Sequence, residues 1–235
     1  MLYIIGLGLN EKGISLEGKE ALKKCKKTYL ENYTVEFPYK INKLEKVLGR
    51  KIVSLDRGEV ESERLAIEAN KEDICLLVYG CPLFATTHVS LLEDCKKRKT
   101  KYKIIYANSV FDAIAESGLQ LYKFGKVASM PGWKGNFKPD SFLDFVCENQ
   151  TIGAHSLILI DIGLKFSDAL IQLVSSGKSK RMKFEKILVC SQLGYEGKFY
   201  YNTIQKLKNK RVKNPFCIII PGKMHFLEEE VVKNL

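Results

Sequence analysis

Through the first half of the chain, short apolar runs alternate with stretches whose apolar residues fall at helical spacing. Leu2 to Ile5 opens with a strand, and "SLEGKEALKKCK" follows as a helix with Ser15 as its N-cap. "TYLEN" is a strand, and "YKINKLEKVLG" a helix closed by Gly49. The series continues with strand "KIVSLD", helix "VESERLAIEANKE", strand "ICLLVYG", helix "HVSLLEDCKKRK" and strand "YKIIYA". Strands separated by helices predict parallel βαβ units, with the sheet covered on both faces. In such sheets ligands bind in the loops at the carboxyl ends of the strands.

The second half has a different rhythm. "GKVASM", "HSLILIDIG", "KILVCSQLG" and "FCIIIPG" read as strands. "SFLDFVCEN" and "SDALIQLVSS" read as helices, and the chain ends in the helix "EEEVVKNL". Between the halves lie "SVFDAIAESGLQLYKFG" and a Gly-rich aromatic loop, "MPGWKGNFKP". The pattern predicts two α/β domains meeting near residues 108 to 125, with boundaries 1–110 and 111–235, and an N-terminal sheet that is mainly parallel.

Composition narrows the setting. At 235 residues and 46% hydrophobic, the chain is long and apolar enough for a sizeable core. No apolar run is long enough to span a membrane. "MLYIIGLGLN" has no basic segment before it and reads as a first strand, not a signal peptide. The seven cysteines are odd in number, scattered, and form no C-x-x-C pair, which points to a reduced, cytoplasmic protein. His88, His155 and His225 are the only histidines, and none has ligand spacing with a cysteine pair, so no metal is expected. Lys and Arg number 38 against 27 Asp and Glu, a formal charge of +11. The lysines are interleaved with core positions along helix faces, so the charge reads as solvated surface before it reads as a nucleic-acid footprint. A large anionic partner, such as a factor working at the ribosome, is compatible with it.

Four stretches carry candidate chemistry. In "IIGLGLN", Gly6 and Gly8 leave a strand for a helix, but Glu11 stands where a dinucleotide fingerprint needs a third glycine. A tight turn explains the spacing equally well. In "YGCPLFATTH", Gly80 frees the backbone, Pro82 stiffens the turn, and Thr86, Thr87 or His88 is placed to cap the next helix. Cys81 has the chemistry of a nucleophile, yet no partner base is identifiable, and most such thiols are ordinary. In "PGKMHFLEEE", Lys223 and His225 follow a strand, and a helix cap or packing residue is the better reading of His225. "YLENYT" places Glu31, Tyr33 and Thr34 at a strand exit.

Taken together, "LYIIGLGL", "YLENYT", "YGCPLFATTH", "ANSVFDAIAESGLQLYKFG" and "IIIPGKMHFLEEE" resemble, in order and spacing, the diphthine synthases, methyltransferases of the tetrapyrrole-methylase fold. The likeness covers essentially the whole chain. It implies two α/β domains with S-adenosylmethionine (SAM) held between them, and a homodimer. Carried over position by position, the SAM contacts are Leu9, Cys81, Phe84, Ser109, Val110, Ile160, Leu193 and Phe216. Two positions depart from the family pattern. Cys81 stands where the family has an aspartate, and "CSQLGYEG" where it tends to Arg-Ala-Gly, with Leu193 the larger residue. A thiol is mostly neutral at pH 7, so a carboxylate acceptor is missing. The substrate implied is elongation factor 2, whose 3-amino-3-carboxypropyl-histidine is methylated repeatedly on its amine. No general base is identifiable from sequence; Glu31, Thr87 and His88 are candidates to line the substrate side. Two alternatives stay open: a tetrapyrrole methylase of the same fold, and a basic binding module without catalysis.

Overall fold

The computed structural model describes residues 1–235 and divides them into two units, Met1–Val110 and Phe111–Leu235. The first runs β1 (Leu2–Gly6), α1 (Leu16–Lys24), β2 (Lys27–Glu31), α2 (Ile41–Leu48), β3 (Val53–Leu55), α3 (Arg57–Val60), α4 (Arg64–Ala69), β4 (Ile74–Val78), α5 (Val89–Lys97) and β5 (Tyr102–Ile105). The short helix α6 (Val110–Ala113) comes next. The second unit carries β6 (Ala128–Met130), α7 (Phe142–Thr151), β7 (Ser156–Ile160), α8 (Phe166–Ser179), β8 (Ile187–Ser191), β9 (Lys198–Asn202), α9 (Ile204–Leu207), β10 (Phe216–Ile220) and α10 (Phe226–Lys233).

The first sheet has the order β3-β2-β4-β1-β5, and every pairing in it is parallel. The central strands β1 and β4 are buried at every position, as strands covered on both faces must be. Leu2, Ile4, Leu76 and Val78 pack with Leu55, Leu65 and Leu91 into one apolar cluster. The connection after β1 leads to β2 on one side; that after β4 leads to β5 on the other. Neighbouring strands whose connections part in this way form the switch point where α/β sheets bind ligands.

The second sheet has the order β6-β7-β10-β8-β9. β6 and β7 are parallel, while β10 runs antiparallel between β7 and β8. Its core joins Ile158, Val189 and Ile218 to Phe142, Leu170 and Leu173. β9 is an addition to the sequence reading: its residues are half-exposed or exposed, so "KFYYN" lacks the apolar run that marks the other strands. The short helix α3 is a second addition, ahead of the helix expected from Val60. Asp56 and Glu59 form a capping box on α3, and the chain turns at Glu61 to Glu63 before α4. Ser15 caps α1, its hydroxyl accepting from the Gly18 amide at 3.0 Å.

A buried ion network ties the end of the second unit to its start. Glu228, 1% exposed, accepts from the amides of Gln120 (2.9 Å) and His225 (2.7 Å) and from the Lys123 ammonium. His155 Nε2 lies 3.1 Å from the same carboxylate, and its Nδ1 accepts from the Gly222 amide at 2.9 Å. His155 is therefore the neutral tautomer, donating to Glu228. Burial alone would raise the Glu228 pKa; Lys123, the two amides and His155 outweigh it and hold the group at about 2. A depressed carboxyl stabilises the fold fully above its ordinary value of 4.5, and this is lost as pH falls toward 2. Glu228→Gln should lower the unfolding free energy by about 3–5 kcal/mol, the cost of taking one partner from a buried pair. Glu229→Gln, which breaks only an exposed pair with Lys233, should cost about 0.5 kcal/mol or less. Urea unfolding of both variants at pH 7 and pH 3 checks this, and the gap between Glu228→Gln and the native chain should narrow at the lower pH.

Candidate active site

The loops that follow β1, β4 and β5 meet because glycine lets them. Beyond the parallel ladder, the Leu7 amide donates to the Val78 carbonyl at 2.8 Å. Gly8 and Gly80 then exchange backbone hydrogen bonds in both directions, at 3.3 and 2.9 Å. A side chain at Gly6 would stand 2.8 Å from Ala107 Cβ, the Gly80 carbonyl oxygen and Pro82 Cδ. Gly8 has φ +65°, and a Cβ there would lie 2.7 Å from Asn108 Oδ1. Both positions need glycine for space, and Gly8 needs it for conformation as well. Tyr79 Oη donates to the Leu9 carbonyl at 3.0 Å, fixing the far end of the first loop. Burial pushes the Tyr79 phenol well above its ordinary pKa, so it remains a donor.

The loop after β4 is strained. Leu83 (φ 70°) and Ala85 (φ 52°) both lie in the left-handed region without being glycine. Lys99 and Arg181 share that conformation, but each stands just after a helix, where it is common. Such strain concentrates where a loop is shaped for a ligand. Cys81 is half-buried, its thiol turned to the Pro82 carbonyl at 3.5 Å. Leu9 and Ser109 are buried, and Phe84 and Val110 are partly so.

In the second unit, Ile160 ends β7, Leu193 follows β8, and Phe216 starts β10. Because β10 runs antiparallel to both neighbours, these three residues lie at the same end of the sheet. Gln192 (φ 50°) reaches back to the Asn214 carbonyl at 2.7 Å, and its amide donates to the Pro215 carbonyl at 2.8 Å. The aromatic loop after β6 is at this end too. Gln172 of α8 accepts from the Trp133 amide and donates to the Pro131 carbonyl, both at 3.0 Å. Asp161 accepts from the Gly132 amide at 3.0 Å. Sequence reasoning missed Gln172 and Asp161, whose partners lie 41 and 29 residues away; a polar residue inside the apolar pattern of "SDALIQLVSS" was the available signal.

A polar cluster occupies the same end of the first sheet. Glu31 ends β2 at 1% exposure and accepts from the amides of Tyr33 (2.9 Å) and Thr34 (2.8 Å) and from the Thr34 hydroxyl (2.8 Å). Its Oε2 lies 3.8 Å from Nε2 of His88, also 1% exposed. The capping expected from "ATTH" does not occur. His88 takes the N-cap position of α5 without a side-chain cap bond, and Thr87 donates to Glu61 at 2.5 Å. His225 does cap α10, accepting from the Leu227 amide at 3.4 Å. Lys223 places its backbone against Gly153 and Lys123.

The two sets of predicted contacts are thus each gathered by their own unit: Leu9, Cys81, Phe84, Ser109 and Val110 at the carboxyl ends of β1, β4 and β5, and Ile160, Leu193 and Phe216 at one end of the second sheet. The donor set suits SAM. Backbone groups, glycine surfaces and apolar side chains fit a small ligand without phosphates.

The sequence profile of the Tetrapyrrole (Corrin/Porphyrin) Methylases matches residues 1–208. Diphthine synthase of Methanococcus maripaludis is 37% identical over 254 residues, spanning 100% of this chain and 98% of that protein. Diphthine methyl ester synthase of Schizosaccharomyces pombe is 41% identical over 168 residues, spanning 70% of this chain and 59% of that protein. A crystal structure of a putative diphthine synthase from Entamoeba histolytica superposes with a TM-score of 0.90 at 29% identity, covering 100% of this chain and 97% of that one. With the profile, the full-length archaeal relative and the fold in agreement, the chain belongs to the tetrapyrrole methylase family, on its diphthine synthase branch, and is a SAM-dependent methyltransferase.

Proposed function

We propose that the chain methylates the amine of the 3-amino-3-carboxypropyl-histidine of elongation factor 2, repeatedly, in diphthamide biosynthesis. The observation that carries this reading is the paired glycine loops of Gly8 and Gly80, set beside the polar cluster of Glu31 and His88 within one unit. A cofactor platform and an acceptor-side polar group are what an N-methyltransferase needs. The contacts we assign to SAM are Leu9, Cys81, Phe84, Ser109 and Val110 in the first unit and Ile160, Leu193 and Phe216 in the second. When bound, SAM supplies an electrophilic methyl group and leaves as a neutral thioether. The chain's own part is to orient the acceptor and exclude water around it.

The charge of +11 favours encounter with an acidic protein surface, which suits elongation factor 2 as partner and not a small cationic cofactor. All seven cysteines are free thiols, which supports a reducing, cytoplasmic location. No helix is long and apolar enough to cross a membrane. Phe226, Leu227 and Val231 expose an apolar face on α10, which supports self-association as a homodimer.

The test is mass spectrometry of elongation factor 2 carrying the aminocarboxypropyl group, after incubation with purified protein and SAM. Stepwise gain of methyl groups on that histidine is expected. An unchanged substrate, or methyl transfer to a tetrapyrrole instead, contradicts the assignment.

Cys81 gives a second prediction. Cys81→Asp restores a carboxylate acceptor in the loop after β4, where one charge-assisted hydrogen bond is worth roughly 1.5–3 kcal/mol. SAM should therefore bind about ten- to a hundred-fold more tightly by calorimetry. Equal or weaker binding would mean that the thiol position does not face the cofactor's donors.

A further inference from the structure

His88 is the least satisfied polar side chain in the first unit. It is 1% exposed, yet neither ring nitrogen has a hydrogen-bond partner. The Thr86 hydroxyl, in the same loop, is buried and unpartnered too. Leaving such groups unmade costs about 1–3 kcal/mol each, so they call for a partner that comes and goes. Around the imidazole stand Glu31 from the end of β2, the edge-on Tyr33 ring at 6.4 Å, and Glu61 beyond α3. Arg57 of α3 lies over the Tyr33 ring at 5.7 Å and pairs with Glu61 at 3.2 Å. Glu31 cannot swing away, because three hydrogen bonds from Tyr33 and Thr34 hold its carboxylate. The loop carrying His88 is the strained one, with Leu83 and Ala85 at positive φ.

Repeated methylation poses a problem that a first transfer does not, because the first amine can shed its proton to water before it binds. As the amine lone pair forms the new N–C bond, the methyl C–S bond breaks and sulfur keeps its electron pair. The nitrogen is left cationic and without a lone pair. Before the next round, one N–H proton must leave while the acceptor stays in place. Resting on the activity proposed above, we propose that His88, steered by Glu31, is the group that takes this proton between rounds. The N–H electron pair returns to the amine, and the imidazolium forms beside the Glu31 carboxylate. The proton then passes to water along the rim formed by Thr87 and Glu61, joined at 2.5 Å. Burial keeps the resting imidazole below its ordinary pKa, and Glu31 and Glu61 oppose this only in part, so the ring starts neutral and able to accept. A nitrogen bearing three methyl groups has no proton left, and the relay stops by itself.

The experiment uses the full chain with His88→Gln and, as a second variant, Glu31→Gln, each given SAM and elongation factor 2 bearing the aminocarboxypropyl group. SAM calorimetry on each variant reports whether the cofactor site is intact, and native-like affinity is expected. The native protein should release fully methylated product with little intermediate. At neutral pH His88→Gln should release mono- and dimethylated product, the later transfers slowing by about a hundredfold, the usual share of a positioned base. Raising the pH should restore full methylation, because hydroxide then removes the proton. Glu31→Gln should show a weaker form of the same pattern. Native product ratios in His88→Gln, or a loss spread equally over every transfer and insensitive to pH, would overturn the assignment. A native protein that methylates nothing would overturn the activity itself, and with it this role.

Discussion

The reciprocal hydrogen bonds between Gly8 and Gly80 are the constraint on which the first unit's site depends. β1 and β4 pair in parallel, and a parallel ladder ends where its strands end. The two glycines add an antiparallel step beyond that end, so the loops stay joined where they would otherwise part. Gly6 lets Ala107, Gly80 and Pro82 crowd the same point, bringing in the chain after β5. Three loops of separate sequence origin thus present their backbones side by side. A methyl group at Gly6 or Gly8 would collide with the neighbouring loop, and at Gly80 the left-handed φ of +73° is what favours glycine.

Much of this was legible in the sequence. The parallel sheet follows from apolar runs separated by amphipathic helices, and "ICLLV" and "LYIIG" are buried at every position. Strand ends followed by Gly6, Gly8 and Gly80 marked the loops. Other features were not legible, for physical reasons. β9 is half-exposed and lacks an apolar run. The insertion of β10 between β7 and β8 leaves no trace in periodicity, because a buried strand reads the same in either direction. Capping by "ATTH" failed because Thr87 finds Glu61, a partner set by the fold and not by neighbouring residues.

The two buried histidines show how similar burial yields different roles. His155 is saturated: Glu228 accepts on one side, the Gly222 amide donates on the other, and nothing is left over for a ligand. It joins the "YKFG" and "PGKMH" stretches and stabilises the second unit. His88 has a carboxylate close by but too far for a hydrogen bond, and both its nitrogens are open. His88 closes the "ATTH" stretch, whereas His155 opens the apolar strand "HSLILIDIG", outside the stretches that carry the family likeness. Only the partners tell structural cement from chemistry in waiting.

The glycine-paired loops are, on this reading, the cofactor platform. A crystal structure with S-adenosylhomocysteine bound measures this most directly. The ligand is expected in van der Waals contact with the backbone of Gly8-Leu9 and of Gly80 to Phe84, with the Gly8–Gly80 hydrogen bonds unbroken. A ligand seated away from both loops, or loops that separate to admit it, would rule out the glycine loops as the platform.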